Sequence, residues 1–269
     1  MSLDISGRTA LVTGASAGIG REIARILARE VGVMILVARR ADRLSELAAE
    51  LSGAHPGLRV LVHAVDLLDR AATGAMLDAL ERDGVAVDVL VNNAGFGTYG
   101  LFEKHGWAKT EQMLELNVVS ATYLLHRLVP PMVGRGFGAI LNVGSTAGMF
   151  PSPAFAAYSA SKAYLNLLSE ALHAELVGTG VSVTVLCPGP VPTEFQEVAG
   201  SKGRNPMPKA FHIDAVQCAE EAVRALKAGE GRHIPGAAMR AAMVSVEALP
   251  KVVVRQVAAQ MGRKARERG

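Results

Sequence analysis

The chain has 269 residues, half of them apolar and 20% charged, with a mean hydropathy of +0.26, which excludes a disordered chain of low hydrophobicity and high charge. Lys and Arg exceed Asp and Glu by only three, too few for a nucleic-acid footprint, and no nucleic-acid partner is expected. The two cysteines, Cys187 and Cys218, cannot staple a chain of this size and read as apolar fillers in a reducing, cytoplasmic setting.

Along the chain, apolar runs alternate with amphipathic helical ones, with no repeat, low-complexity stretch or linker between them. The N-terminal segment up to Thr13 carries Asp4 and Arg8 and lacks the apolar stretch of a signal peptide. Strands are expected at Thr9 to Thr13, Val33 to Ala38, Arg59 to Val65, Val87 to Asn92, Gly138 to Val143 and Val181 to Cys187, with a short seventh near Arg232 to Ile234. Helices are expected at Gly18 to Arg29, Ala41 to Leu51, Asp69 to Arg82, Thr110 to Val133, Ala156 to Val177 and Asp214 to Ala228. Runs such as Met34-Ile35-Leu36-Val37 are continuously apolar, as in strands covered on both faces. The expected fold is therefore α/β, a single doubly wound parallel sheet of about seven strands with helices on both faces. Ligands of such sheets bind beyond the carboxyl ends of the strands.

The unusual residues fall at those ends. After the first strand comes Thr13-Gly14-Ala15-Ser16-Ala17-Gly18-Ile19-Gly20. Gly14, Gly18 and Gly20 allow a tight turn and close backbone approach, and the amides around Ser16, Ile19 and Gly20 open a helix that can hold a pyrophosphate. The second strand ends in Arg39-Arg40 with no carboxylate, a pair suited to a ribose phosphate, so NADP(H) is preferred and NAD(H) is possible. Asp66 and Leu67 follow the third strand, where the adenine is expected. Asn93, Ala94 and Gly95 follow the fourth and wall the same site.

Ser145 comes just after the fifth strand, and Tyr158 and Lys162 lie four apart, on one face of one helix. A free phenol is a poor acid or base at neutral pH, and a neighbouring ammonium is expected to lower its pKa. Carbonyl reduction needs a proton delivered to oxygen as hydride reaches carbon, which assigns Tyr158 as donor. Ser145 would hydrogen-bond the substrate oxygen, and Lys162 would hold ribose hydroxyls while tuning the phenol. Asn117, costly to bury without partners, would hold a water that relays protons to Lys162.

With these motifs in order, the sequence resembles the short-chain dehydrogenase/reductase family from Ile5 to Pro235. The likeness rests on Thr13 to Gly20, Asn92 to Gly95, Asn117, Ser145, Tyr158 with Lys162, and Pro188-Gly189-Pro190-Val191-Pro192-Thr193. It implies a Rossmann fold with an Asn-Ser-Tyr-Lys catalytic tetrad. It also implies that the Pro188-Gly189 loop contacts the cofactor, with Val191 and Thr193 on the nicotinamide carboxamide, and that two long helices build a homodimer or homotetramer. Ala17 stands where many NADP-dependent relatives carry a basic residue, so the dinucleotide reading rests on Arg39 and Arg40.

The seven histidines show no metal-ligand spacing, and no metal is expected. The segment Glu194 to Phe211 reads as a mobile substrate lid. Phe96, Tyr99, Met149, Phe150, Phe155 and Phe195 suggest a small carbonyl or alcohol substrate that is partly apolar. Residues 1–236 form the Rossmann-type domain, and 237–269 a helical extension with a basic tail. That extension carries an apolar stripe from Met239 to Met261. It offers a membrane surface, a cleft cover or a subunit contact, with plain domain closure favoured. The expected function is an NADP(H)-preferring oxidoreductase that interconverts a ketone or aldehyde and an alcohol. A nucleotide-binding scaffold, or an epimerase or dehydratase retaining its nucleotide, is the alternative.

Overall fold

The computed structural model describes residues 3–201 and 207–267. Residues 202–206 of the expected lid and Arg268 of the basic tail lie outside the described residues.

Seven strands form one sheet in the order β3-β2-β1-β4-β5-β6-β7, and every neighbouring pair is parallel. They are β1 (Thr9–Thr13), β2 (Val33–Ala38), β3 (Arg59–Ala64), β4 (Val89–Asn92), β5 (Gly138–Val143), β6 (Val181–Leu186) and β7 (Arg232–His233). The chain reverses direction across the sheet between β1 and β4, so the crevice beyond those two strands is where a ligand is expected.

Two apolar layers explain why the strands are hydrophobic at every position. Ala10, Val12, Met34, Leu36, Val89, Val91, Ala139 and Leu141 point to one face. There they meet α1 (Gly18–Leu27), α2 (Ala41–Ala54) and α8 (Ala215–Ala228) through Ile23, Leu47 and Leu226. The alternate residues Leu11, Ile35, Val37, Leu90 and Ile140 point to the other. They meet α3 (Arg70–Arg82), α5 (Ala121–Arg135) and α6 (Ala156–Glu175) through Leu77, Leu124 and Leu172. A period of two thus serves both faces.

Four boundaries differ from expectation for identifiable reasons. The fourth strand starts at Val89 because Asp88 is used differently, its carboxylate accepting from the Thr9 amide at 3.2 Å. Asp69 and Asp214 stand just outside α3 and α8 and cap them, accepting from the amides of Ala72 and Gln217. The single helix expected over Thr110 to Val133 is α4 (Trp107–Leu114), a π-helical turn over Glu115–Ser120, and then α5. Two buried polar side chains sit in that turn. Asn117 bonds the loop after β4, and the Ser120 hydroxyl donates to the Leu67 carbonyl at 2.7 Å. Such turns often mark functional sites.

Beyond α7 (Phe195–Ala199), the C-terminal segment forms α9 (Ala237–Ala248) and α10 (Lys251–Glu267). Met239 and Met243 of α9 are buried against Val185, Cys187 and Ile234. In contrast, α10 buries no residue. It reaches back over the loops before α4 and α6, with an Arg266–Glu103 ion pair at 2.9 Å and Gly262 beside Pro153. Among the described residues, no helix is long and apolar enough to cross a membrane.

Candidate active site

The floor of the crevice is tied together at its centre. Thr13, the last residue of β1, accepts from the amides of Asn93 and Ala94 at 2.9 and 3.0 Å through its hydroxyl oxygen, and donates to the Val91 carbonyl at 3.2 Å. The Asn93 side chain returns a bond to the Thr13 carbonyl at 2.9 Å. Its amide nitrogen fills the space that side chains would need nearby. A Cβ on Gly14 (φ +66°) would stand 2.7 Å from it, and one on Gly20 would collide with it. The Asn93 side chain is therefore spent on holding two loops together. Ala94 and Gly95 continue that wall, and a Cβ on Gly95 would stand 2.8 Å from Asn117 Oδ1.

Above this floor, α1 begins with no side-chain cap, because Ala17 precedes Gly18. The first-turn amides of Gly18, Ile19 and Gly20 face the groove with the positive end of the helix dipole. Gly18 (φ +57°) lies under Thr193, whose Cγ2 would be 3.3 Å from an added Cβ. Free amides at an uncapped helix N-terminus have the chemistry to hold a phosphate.

At the end of the crevice where the adenine is expected, the two arginines separate. Arg40 Nη2 and Nε donate to Ser16 Oγ at 3.1 and 3.3 Å, while Arg39 turns to Asp66 at 3.9 Å with 72% of its side chain exposed. Asp66 also accepts from the Leu68 amide at 3.1 Å. Two residues not foreseen join them: Glu194 pairs with Arg40 at 2.9 Å and also with Arg43. These arginines hold the Glu194 carboxyl below its usual pKa. Arg43, three residues after Arg40, was readable from helical spacing. Nothing in the sequence announced Glu194.

At the other end, α6 brings Tyr158, Lys162 and Asn166 to the buried end of β5, at successive turns of one helix face. Tyr158 and Lys162 are 8% and 5% exposed. The Lys162 ammonium donates to the Val143 carbonyl at 2.8 Å. Ser145 Oγ accepts from the Ala147 amide at 3.0 Å and stands near enough to the Tyr158 phenol to draw its pKa down. Asn166, also unforeseen, brackets Ser145 by donating to its carbonyl at 3.0 Å and accepting from its amide at 3.4 Å. The four-residue spacing that singled out Lys162 points equally to Asn166.

The electrostatics correct one expectation. Burial pushes the Tyr158 phenol up to about 12, and the neighbouring Ser145 hydroxyl offsets only part of that rise. Burial also draws the Lys162 ammonium down to about 8. The lysine does not lower the phenol here, because desolvation dominates both groups and the ammonium is engaged by a main-chain carbonyl. The Tyr158 phenol therefore keeps its proton at neutral pH. Asn117 has structural partners. Its amide hydrogens go to the Phe96 carbonyl at 2.9 Å and Ser161 Oγ at 3.1 Å, while its oxygen accepts from the Phe96 amide at 3.2 Å. The side chain thus anchors the loop after β4, and its oxygen keeps a second lone pair.

The loop after β6 closes the groove. The Pro188 carbonyl accepts from the Thr146 amide and hydroxyl at 3.0 and 3.2 Å. Gly189 leaves room for Met239, Val191 is buried in the core, and Thr193 faces Gly18. Tyr99, Phe155, Tyr158 and Phe195 form a row of rings with centroids 5.0, 5.6 and 5.4 Å apart.

The short chain dehydrogenase profile matches residues 8–203, which include every one of these residues except Met239. The chain belongs to the short chain dehydrogenase family. That is a family of NAD(P)-dependent oxidoreductases acting between CH–OH and keto groups. This dehydrogenase is 35% identical to the ketoacyl reductase HetN of Nostoc sp. over 69% of its own length, and the match spans 64% of that protein. It is 38% identical to the NADP-dependent 3-hydroxy acid dehydrogenase of Escherichia coli K12, over 70% of this chain and 75% of the other. Among solved structures it resembles a short-chain dehydrogenase from Sphingobium yanoikuyae in complex with NADPH. That likeness has a TM-score of 0.81 and 31% identity, and covers 89% of this chain and 92% of that one.

Proposed function

We propose that this dehydrogenase is an NADP(H)-preferring oxidoreductase that interconverts a ketone or aldehyde and an alcohol, with Tyr158 as the group that gives and takes the proton. The observation carrying this reading is the placement of a buried, protonated phenol beside the Ser145 hydroxyl, on the same helix face as a buried lysine and at the end of the dinucleotide groove.

NADP(H), when bound, supplies or accepts the hydride. The first turn of α1 at Gly18, Ile19 and Gly20 would hold its pyrophosphate. Ser16 and Arg40, with Arg39 alongside, would hold the ribose phosphate, whose three acceptor oxygens suit a guanidinium better than a ribose hydroxyl does. Asp66 and Leu67 would border the adenine, and Thr193 the nicotinamide. In reduction, Tyr158 donates its proton to the carbonyl oxygen as charge develops there, and Ser145 stabilises that charge with a second hydrogen bond. Lys162, one turn along the same helix face, would hold the ribose hydroxyls of the bound dinucleotide.

The row of rings at Tyr99, Phe155 and Phe195 supports a partly apolar substrate. Two relatives support the dinucleotide preference by their own cofactors, one NADP-dependent and one solved with NADPH. Exposed apolar residues on and beside α5 and α6, with Leu167 at 71% and Tyr164 at 42% exposure, support a homodimer or homotetramer. The buried thiols Cys187 and Cys218 suit a reducing cytoplasm. The test is oxidation of NADPH, beside NADH, over carbonyl compounds graded in size. Tyr158→Phe is expected to lower turnover by about 10²- to 10⁴-fold while NADPH affinity changes less than about two-fold, by tryptophan quenching or calorimetry. Near-wild-type turnover would remove Tyr158 from its role.

A further inference from the structure

Glu194 and Phe195 are neighbours in the chain that serve opposite ends of the groove. The Glu194 carboxylate lies on Arg40 and Arg43 at the adenine end. The Phe195 ring packs on Tyr158, centroid to centroid 5.4 Å, and fills the space over Gly97, where an added Cβ would lie 2.8 Å from its Cζ. Thr193, the preceding residue, sits over Gly18. Three consecutive residues therefore bridge the start of α1, the arginine cluster and the Tyr158 ring. The far end of the same short helix is held independently, by the Tyr99 amide on the Ala199 carbonyl at 2.9 Å and by Lys109 on the Val198 carbonyl at 2.8 Å.

We infer that the Glu194 carboxylate is an internal substitute for the ribose 2′-phosphate: it competes for Arg40 and Arg43, and a dinucleotide carrying that phosphate displaces it and releases the segment leading to Phe195. This rests on the NADP(H) reading above and adds a residue that sets its strength. The two arginines already hold carboxylate oxygens, and Arg40 is itself steadied by Ser16 Oγ, a set of donors that a phosphate could use. A phosphate near a double negative charge has more charge and more acceptor oxygens than one carboxylate, so it wins the exchange. NADH has no group to make that exchange, and with it the carboxylate keeps its place. Discrimination between the dinucleotides is thus moderated by a cost paid only by NADP(H), and the cost is spent on freeing Glu194 and with it the segment leading to Phe195. By linkage, whatever loosens that segment tightens phosphate binding by the same factor.

The probes are 2′,5′-ADP, which carries the phosphate without the nicotinamide, and 5′-AMP, which lacks it. Both are titrated calorimetrically into wild type and Glu194→Gln. Because the two ion pairs are half exposed, their joint removal is expected to tighten 2′,5′-ADP by roughly three- to ten-fold and to leave 5′-AMP within about two-fold. Hydrogen exchange at Phe195–Ala199 is expected to quicken in wild type on adding 2′,5′-ADP, and to be quick in Glu194→Gln without it. If wild type distinguishes the two nucleotides but Glu194→Gln binds 2′,5′-ADP no better, the competition is overturned and the NADP(H) reading stands. If wild type does not distinguish them, both fall together.

Discussion

The two ends of the groove handle charge in opposite ways. At the adenine end, Arg40, Arg43 and Glu194 keep between 37% and 43% of their side chains exposed. Their attractions are individually weak, screened by salt and easily exchanged. At the Tyr158 end, Tyr158 and Lys162 are almost wholly buried, and desolvation moves each pKa toward the neutral form, the phenol up to about 12 and the ammonium down to about 8. On the function proposed above, one end would select a ligand by reversible pairing, and the other would build reactivity by withholding water. The lesson is that affinity and chemistry in this groove can be altered separately, and the following changes press on that separation from the strongest effect to the weakest.

Replacing Lys162 by Met is expected to lower turnover by at least about 10²-fold and to weaken NADPH binding, yet to raise Tm at pH 7. The folded pKa of about 8 lies below the unfolded value near 10.5. Burying the ammonium therefore costs stability in full below pH 8, and that cost fades as pH climbs toward 10.5. The gain in Tm should accordingly shrink at pH 10. A Tm that falls at pH 7 would show that the lysine is a stabilising partner, and the contrast between the two ends would lose its basis. In wild type the same titration predicts that kcat/KM for reduction declines above about pH 8, and Lys162→Arg should remove that decline.

Asn166→Ala comes next. It leaves both the amide and the carbonyl of Ser145 without their partner, at a cost of about 1–3 kcal/mol, measurable by urea unfolding. It should lower kcat by about ten-fold with KM for the dinucleotide unchanged. Asn166→Asp, which keeps the acceptor, should recover part of the loss. Equal damage to both parameters would make Asn166 a purely structural residue. The smallest effect is expected from Arg40→Ala, a rise in NADPH Kd of about ten-fold or less at low salt that shrinks as ionic strength increases, with NADH little changed. A large, salt-insensitive loss would mean that the adenine end is not the exchangeable surface it is here.

Much of this architecture could be read from the sequence because its causes are local. Glycine placement, the apolar strand runs and the four-residue step from Tyr158 to Lys162 are pattern features; the sheet and its parallel sense followed from them, and the same features nominate the site residues. Two kinds of error came from effects with no local signature. The π-helical turn at Glu115–Ser120 exists because Asn117 and Ser120 bond distant loops, so the sequence there looks like uninterrupted helix. The pKa of Tyr158 depends on how many atoms surround it in space, and a lysine one turn away says nothing about that. Glu194 illustrates the same limit, since its partners Arg40 and Arg43 lie about 150 residues earlier in the chain. Asn166 was different: its signal was present and was passed over.

The wedge of Asn93 between Gly14 and Gly20 carries a mechanical consequence. Because one amide braces the turn after β1 against the turn after β4, neither can shift without dragging the other. The base beneath the dinucleotide should therefore behave as a single slab, leaving whatever rearrangement accompanies turnover to the roof that runs from Pro188 to Ala199.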